Sequence, residues 1–212
     1  MDEHRQLCVK CLKSERTCYC SQLRPFQTKL QLVLLQHPME RKKAIGTARM
    51  THFCIEGSKL IPGKEFNDDS EVNAIISDPG NFCVVLYPGK ESKNISVPET
   101  LNEFQKGVPS EKKLVIFVID GTWAHAKRMV RESPNLLALS QICFTPKSLS
   151  EYKIRQQPAD FCLSTIEAVH QILEHLESAV NAEILLQMFR TMVDQQIRIA
   201  SEHQEYQECP QH

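Results

Sequence analysis

The chain has 212 residues, of which 42% are hydrophobic and 24% charged, and its formal net charge is -1. That length suits one well-buried domain plus a small appendage and leaves no room for two full domains. No apolar run nears the roughly 18 to 20 residues of a membrane helix, and the polar start Met1-Asp2-Glu3-His4-Arg5-Gln6 has no apolar stretch behind it to act as a signal peptide, so the expectation is a cytoplasmic protein without a membrane partner.

The first segment, residues 1–28, is set apart by its cysteines. The chain has nine, an odd number that argues against a closed disulfide framework. Four of them form the run Cys8-x2-Cys11-x6-Cys18-x-Cys20. Two close thiol pairs on a loop-rich stretch can wrap one tetrahedral ion, so these four are expected to ligate a structural Zn2+; four thiolates would leave no open position for catalysis. The alternative is that some are buried or redox-active thiols. Cys54, Cys83, Cys143 and Cys162 stand alone and read as small core hydrophobes. Charge is uneven as well: residues 1–60 hold eleven Lys and Arg against five acids, a surplus of six that leaves -7 for the remainder. A basic face of this kind suits an enzyme acting on a polyanion, and suits an ordinary solvated surface equally well.

From residue 29 to about 200 the pattern alternates strands and helices. Leu30–Leu35 has strand length, and 44–55 follows as a helix with few breakers. Ala74-Ile75-Ile76 and Phe82–Tyr87 read as further strands, the second stopped by Pro88-Gly89. Leu114–Ile119 is apolar throughout, as a central strand covered on both faces must be. A helix is expected over Thr122–Glu132, then short strands at Leu139–Phe144 and 161–163, then helices over Thr165–Leu176 and Ala182–Ala200. In the last, Ile184, Leu185, Met188, Phe189, Met192, Val193 and Ile197 form one apolar stripe. Residues 201–212 read as a polar tail. The fold class is therefore α/β, a mostly parallel sheet covered by helices.

In such a sheet ligands bind beyond the carboxyl ends of strands. The loops so placed are Tyr87-Pro88-Gly89, Asp120-Gly121-Thr122-Trp123 and Leu163-Ser164-Thr165. No G-x-G-x-x-G follows a strand and there is no P-loop, which counts against a dinucleotide or nucleoside-triphosphate enzyme and against the common Rossmann methyltransferases. Asp120 ends the central strand, where it can serve chemistry or cap the next helix, a role Thr122 could share. Ser164-x-x-Glu167 fits a helix capping box.

Taken together, the early cysteines, Gln36-His37-Pro38-Met39-Glu40 with Gly46-Thr47-Ala48-Arg49, Leu86-Tyr87-Pro88-Gly89, the D-x-T-W of residues 120–123 and Leu163-Ser164-Thr165-Ile166-Glu167-Ala168 make the chain resemble the DTW-domain family over nearly its whole length. One departure is Gly46, where Asn commonly precedes the threonine, so no side-chain contact is carried over from that position. The resemblance implies a SPOUT-like knotted fold and an S-adenosylmethionine-dependent tRNA-uridine aminocarboxypropyltransferase. Such an enzyme moves the 3-amino-3-carboxypropyl group to N3 of a tRNA uridine and releases methylthioadenosine. It implies Asp120 as the catalytic group, orienting the uridine and sharing its N3 proton. It implies a cofactor pocket of Leu86, Tyr87, Pro88, Gly121, Thr122, Trp123, Leu163, Ser164 and Thr165, in which backbone groups of Leu86, Leu163 and Thr165 read the adenine. Candidates for tRNA contact are His37, Glu40, Thr47, Arg49, Arg128 and Arg155, with Lys127 and Arg131 beside Arg128; the cationic ones among them are equally candidates for the cofactor carboxylate. Rival readings are a methyl-transferring enzyme of the same fold and a zinc-containing RNA-binding module without catalysis.

Overall fold

The computed structural model describes residues 6–41, 43, 46–151 and 162–208. Six strands form a single sheet in the order β2-β1-β5-β3-β6-β4, and every neighbouring pair is parallel. They are β1 (Gln31–Gln36), β2 (Lys59–Pro62), β3 (Asn81–Leu86), β4 (Lys93–Asn94), β5 (Lys113–Asp120) and β6 (Ser140–Cys143). The helices are α1 (Pro38–Arg41), α2 (Ala48–Cys54), α3 (Ser70–Ser77), α4 (Pro98–Gly107), α5 (Trp123–Arg131), α6 (Pro134–Leu137), α7 (Thr165–Leu176) and α8 (Glu183–Glu208). No described helix is long and apolar enough to cross a membrane.

Side-chain alternation sends β1 and β5 to both faces of the sheet. Leu32, Leu34, Ile116 and Val118 enter one core with residues of α2, α7 and α8, whereas Val33, Leu35, Val115 and Phe117 enter a second with Val72 and Ile75 of α3, Met129 of α5 and Leu136 of α6. Both faces are dry, which is why these strands are apolar throughout rather than alternating. The cysteine segment belongs to the first core through Cys11, Tyr19 and Leu23.

Four expectations are corrected. Ala74-Ile75-Ile76 lies in α3 and not in a strand: the Asp69 carboxylate caps the helix by accepting the Val72 N–H at 2.9 Å, and Val72 and Ile75, three apart, share its buried face. Cys162 and Leu163 belong to no strand among the described residues and lead to Ser164, the N-cap of α7, while residue 161 lies outside the described residues. The helix expected from residue 44 runs from Ala48, after Gly46 and Thr47, with residues 44 and 45 also outside. At the other end α8 continues to Glu208, beyond the expected stop at Ala200, and Ile197 of its apolar stripe is exposed. The short strands β2 and β4 and helix α4 carry too little apolar signal to be seen in the sequence.

Register places the site. Gln36, the last residue of β1, pairs with Asp120, the last of β5, while Leu86 of β3 pairs with Val118 and with Ile142 of β6. The carboxyl ends of four parallel strands thus finish at one rim, and the loops that leave them share one volume.

Candidate active site

Asp120 is buried at that rim, 6% exposed, and both carboxylate oxygens accept hydrogen bonds. Gln36 Nε2 donates to Oδ2 at 2.9 Å, and Thr165 Oγ1 donates to Oδ1 at 2.5 Å. The backbone carbonyl of Asp120 also accepts the His37 N–H at 2.8 Å. Three sequence segments far apart in the chain, one ending β1, one ending β5 and one opening α7, therefore meet at a single carboxylate, and donors from two other elements orient it.

Beside it lies a cavity of about 270 Å³. Of the nine residues expected around a cofactor, eight line it: Leu86, Tyr87, Pro88, Gly121, Trp123, Leu163, Ser164 and Thr165. Thr122 does not; it is the N-cap of α5 and its hydroxyl accepts the His125 N–H at 3.3 Å. The walls are largely apolar, and the polar groups stand at the strand ends, the usual make-up of a small-molecule site. Trp123 is 47% exposed, with its indole N–H directed to Cys162 Sγ at 2.9 Å, so the ring stands at the mouth. Ser164 and Glu167 close the capping box that starts α7, and the buried Glu167 carboxylate also accepts the Ser150 hydroxyl and the Glu151 N–H. This ties the loop after β6 to the pocket wall.

Sequence reasoning overlooked part of this wall. Cys143, which ends β6, and Phe144 and Pro146, which follow it, complete the cavity; the same strand-end rule would have found them had β6 been read as a main strand. It also gave no role to Gln36 or to His125. The His125 ring stacks on His37 with centroids 3.8 Å apart and planes 10° from parallel. Gly121 makes room for that stack, since a Cβ there would sit 3.2 Å from His125 Cβ and 3.6 Å from that of His37. Burial, and then the neighbouring His125, hold the His37 pKa below the usual histidine value. His37 Nδ1 accepts the Met39 N–H at 3.3 Å, so the neutral ring carries its proton on Nε2.

The residues expected to touch tRNA are dispersed. His37 sits at the Asp120 rim. Glu40 and Arg49 line a separate polar cleft with Gln36, Lys13 and Lys43. Thr47 is buried and spends its carbonyl on the Thr51 hydroxyl, outside both cavities. Arg128 projects from α5 with 67% of its side chain exposed, paired with Glu132 at 2.9 Å. Arg155 lies outside the described residues.

The four early cysteines come together. Cys8 Sγ is 3.7 Å from Cys20 Sγ, Cys11 Sγ is 3.6 Å from Cys18 Sγ, and all four sulfurs lie within 4.8 Å of one another, so the cluster can hold a metal ion. A tetrahedron with metal–sulfur bonds of about 2.3 Å has edges of about 3.8 Å, which these separations match. The backbone N–H groups of Cys11 and Lys10 stabilise the Cys8 thiolate and bring its pKa down to about 6, whereas burial raises that of Cys20. Of the isolated cysteines, Cys54 and Cys162 are buried, and Cys83 and Cys143 half-buried.

The arrangement coincides with a family match: the DTW domain covers residues 5–197, the cysteine cluster and all three converging segments included. The chain belongs to the DTW domain family. Within it, the chain is 35% identical over 181 residues to tRNA-uridine aminocarboxypropyltransferase 2 of Drosophila melanogaster, a match covering 82% of this chain and 68% of that one. It is 30% identical over 179 residues to the Mus musculus protein of the same name, covering 82% of this chain and 58% of the relative. A protein named tRNA-uridine aminocarboxypropyltransferase A in Arabidopsis thaliana is 24% identical over 193 residues, 82% of this chain and 73% of that one. This DTW-domain chain is thus shorter than these relatives, and no solved structure matches it.

Proposed function

We propose that this DTW-domain protein is a tRNA-uridine aminocarboxypropyltransferase that uses S-adenosylmethionine as donor and converts a tRNA uridine to acp3U. The observation that carries the reading is the convergence of Gln36, Asp120 and Thr165 beside a cavity of about 270 Å³, in a chain whose relatives bear that enzyme's name.

The donor supplies the 3-amino-3-carboxypropyl group, whose γ-carbon bonds to uridine N3 as its bond to sulfur breaks and methylthioadenosine departs. What the chain must do is hold that carbon, and not the methyl, in line with N3, and geometry selects the product. In this reading the apolar walls around Leu86 and Leu163 take the adenine, with the backbone of Leu86, Leu163 and Thr165 as hydrogen-bonding groups, and Tyr87, Pro88, Gly121, Trp123 and Ser164 shape the pocket. Asp120 faces the uridine, accepts the N3–H and shares its proton as the new bond forms. Gln36 and Thr165 hold the carboxylate at one angle, so that little of its orientational freedom is left to be lost in the transition state.

In the same proposal Cys8, Cys11, Cys18 and Cys20 bind a structural Zn2+, supported by sulfur separations that fit one tetrahedral ion. The SPOUT-like knotted topology belongs to it too; its support is the parallel sheet and the return of the chain after β6 to Leu163–Thr165 against Asp120. So does a cytoplasmic setting, where the tRNA substrate is found.

The test is incubation of the purified protein with S-adenosylmethionine and unmodified tRNA, followed by nucleoside mass spectrometry. Formation of acp3U with stoichiometric methylthioadenosine is expected. A methylated nucleoside with S-adenosylhomocysteine would overturn the reading in favour of methyl transfer.

A further inference from the structure

The Gln36 side chain that donates to Asp120 also borders a second cavity, a polar cleft of about 50 Å³. Gln36 does not line the large apolar cavity, and Asp120 does not line the small polar one, so the Gln36–Asp120 pair stands between them. With the proposed donor in the apolar cavity, the polar cleft lies one side chain away from Asp120, on the far side of Gln36.

The cleft is cationic. Lys13, Arg41, Lys43 and Arg49 surround it, against one acid among the described residues, Glu40, which is buried and already engaged by Lys43 Nζ at 2.6 Å. Lys13 Nζ is anchored on the Lys43 carbonyl at 3.1 Å, which joins the cysteine segment to the chain just after β1. Arg49, half-buried on α2, makes no hydrogen bond or ion pair with any described residue. A guanidinium partly withdrawn from water with no partner among the described residues is costly unless another group pairs with it, and its fork of donors matches an oxyanion. A cleft with three cations beyond the Lys43–Glu40 pair, opening on the basic first third of the chain, favours a phosphate over the zwitterionic end of an amino acid, which would need an acid free to meet its ammonium.

We infer that this cleft is a subsite for a backbone phosphate of the tRNA next to the target uridine, read by Arg49 with Lys13, and that the cysteine segment is thereby part of the RNA-binding surface. The inference rests on the proposal that tRNA is the acceptor, but not on which group is transferred. The segment contributes Cys11, Leu12 and Lys13 to the cleft wall. Its metal would thus hold a phosphate-binding residue in place in addition to ordering the N-terminus.

The experiment is a titration of purified total tRNA against the full-length protein and its R49Q and R49K variants over a range of KCl concentrations. Zinc content and S-adenosylmethionine affinity are measured on the same preparations. R49Q is expected to bind tRNA about tenfold more weakly, with a log K against log salt slope shallower by roughly 0.7 to 1, and to keep donor affinity and zinc. R49K, which keeps the charge, is expected to recover most of the slope. Unchanged tRNA affinity and slope in R49Q overturn the inference. So does loss of zinc, which would make Arg49 a counter-charge to the thiolates, or loss of donor affinity alone, which would assign it to the donor carboxylate. A wild-type protein that binds tRNA but yields no acp3U would refute the transfer reaction and leave the subsite standing.

Discussion

The proposed role of Asp120 depends on how well donors such as Gln36 and Thr165 hold its carboxylate. Asp120→Ala is expected to abolish acp3U formation while S-adenosylmethionine still binds, because most of the cavity wall that Asp120 shares is made by other residues; turnover near wild type in that variant would remove Asp120 from the chemistry. Thr165→Val keeps the backbone and the wall but deletes the 2.5 Å donor to Oδ1. A hydrogen bond to a charged group contributes about 1.5 to 3 kcal/mol, so kcat is expected to fall on the order of 10- to 100-fold with the donor KM little changed. A larger effect on KM than on kcat would show that Thr165 serves donor binding instead. His37 adds a pH dependence. Its folded pKa lies below the unfolded value of about 6.5, so its contribution to stability is present above that pH and is lost as pH falls through the lower folded value. Between pH 7.5 and 5 the wild-type Tm should therefore drop more than that of His37→Phe, which keeps an aromatic ring against His125; parallel profiles would discount the effect.

Helix α7 shows how one element serves both fold and site. Its N-terminal turn presents Thr165 to Asp120, and that turn is held by Glu167, whose carboxylate accepts the Ser164 N–H at 2.8 Å, the Ser150 hydroxyl at 2.8 Å and the Glu151 N–H at 2.8 Å. The capping box was readable from Ser164-x-x-Glu167, but the capture of residues 150 and 151 was not, since it joins segments seventeen and sixteen positions apart in the chain. Glu167→Ala leaves several of these donors without an acceptor and is expected to cost about 2 to 3 kcal/mol, a Tm loss of roughly 4 to 12 °C, with Glu167→Gln recovering part of it. Thermal melts of the two variants decide this, and equal melts for E167A and wild type would refute it. Helix α3 shows the opposite case. Its Ala74-Ile75-Ile76 carries local strand propensity, yet the Asp69 cap and the packing of Val72 and Ile75 under the sheet override it.

Across the whole molecule the cysteine segment is bound to the rest of the protein by more than its metal-binding capacity. Cys11, Tyr19 and Leu23 share a core with Met188, Phe189 and Met192 of α8, and Arg16 pairs with Glu202 at the far end of that helix. Chelation should therefore loosen α8 along with the N-terminus. With the proposed Zn2+ bound, a Tm lower by roughly 6 to 12 °C, the equivalent of about 3 kcal/mol, is expected after its removal, with recovery on adding Zn2+ back; a chelator-insensitive melt would argue that packing alone holds the segment. The sequence by itself determined the α/β class, because the apolar run of β5 can be accommodated only between two covering layers. It also determined the four-cysteine cluster, because ligand spacing is a local property, and two of the loops that line the cavity, because their motifs stand directly at the ends of β3 and β5. Only the tertiary structure decided the strand order, the place of Gln36 and Phe144 at the site, and the division of the rim into an apolar cavity and a cationic cleft. Those depend on which strand ends lie side by side, and in a parallel sheet neighbours are joined by crossovers whose path is not written in any local stretch of residues. The same holds for Asp120 to Trp123: the loop is legible as a motif, but the two donors that orient its carboxylate come from residues 84 and 45 positions away, brought there by pairing and packing.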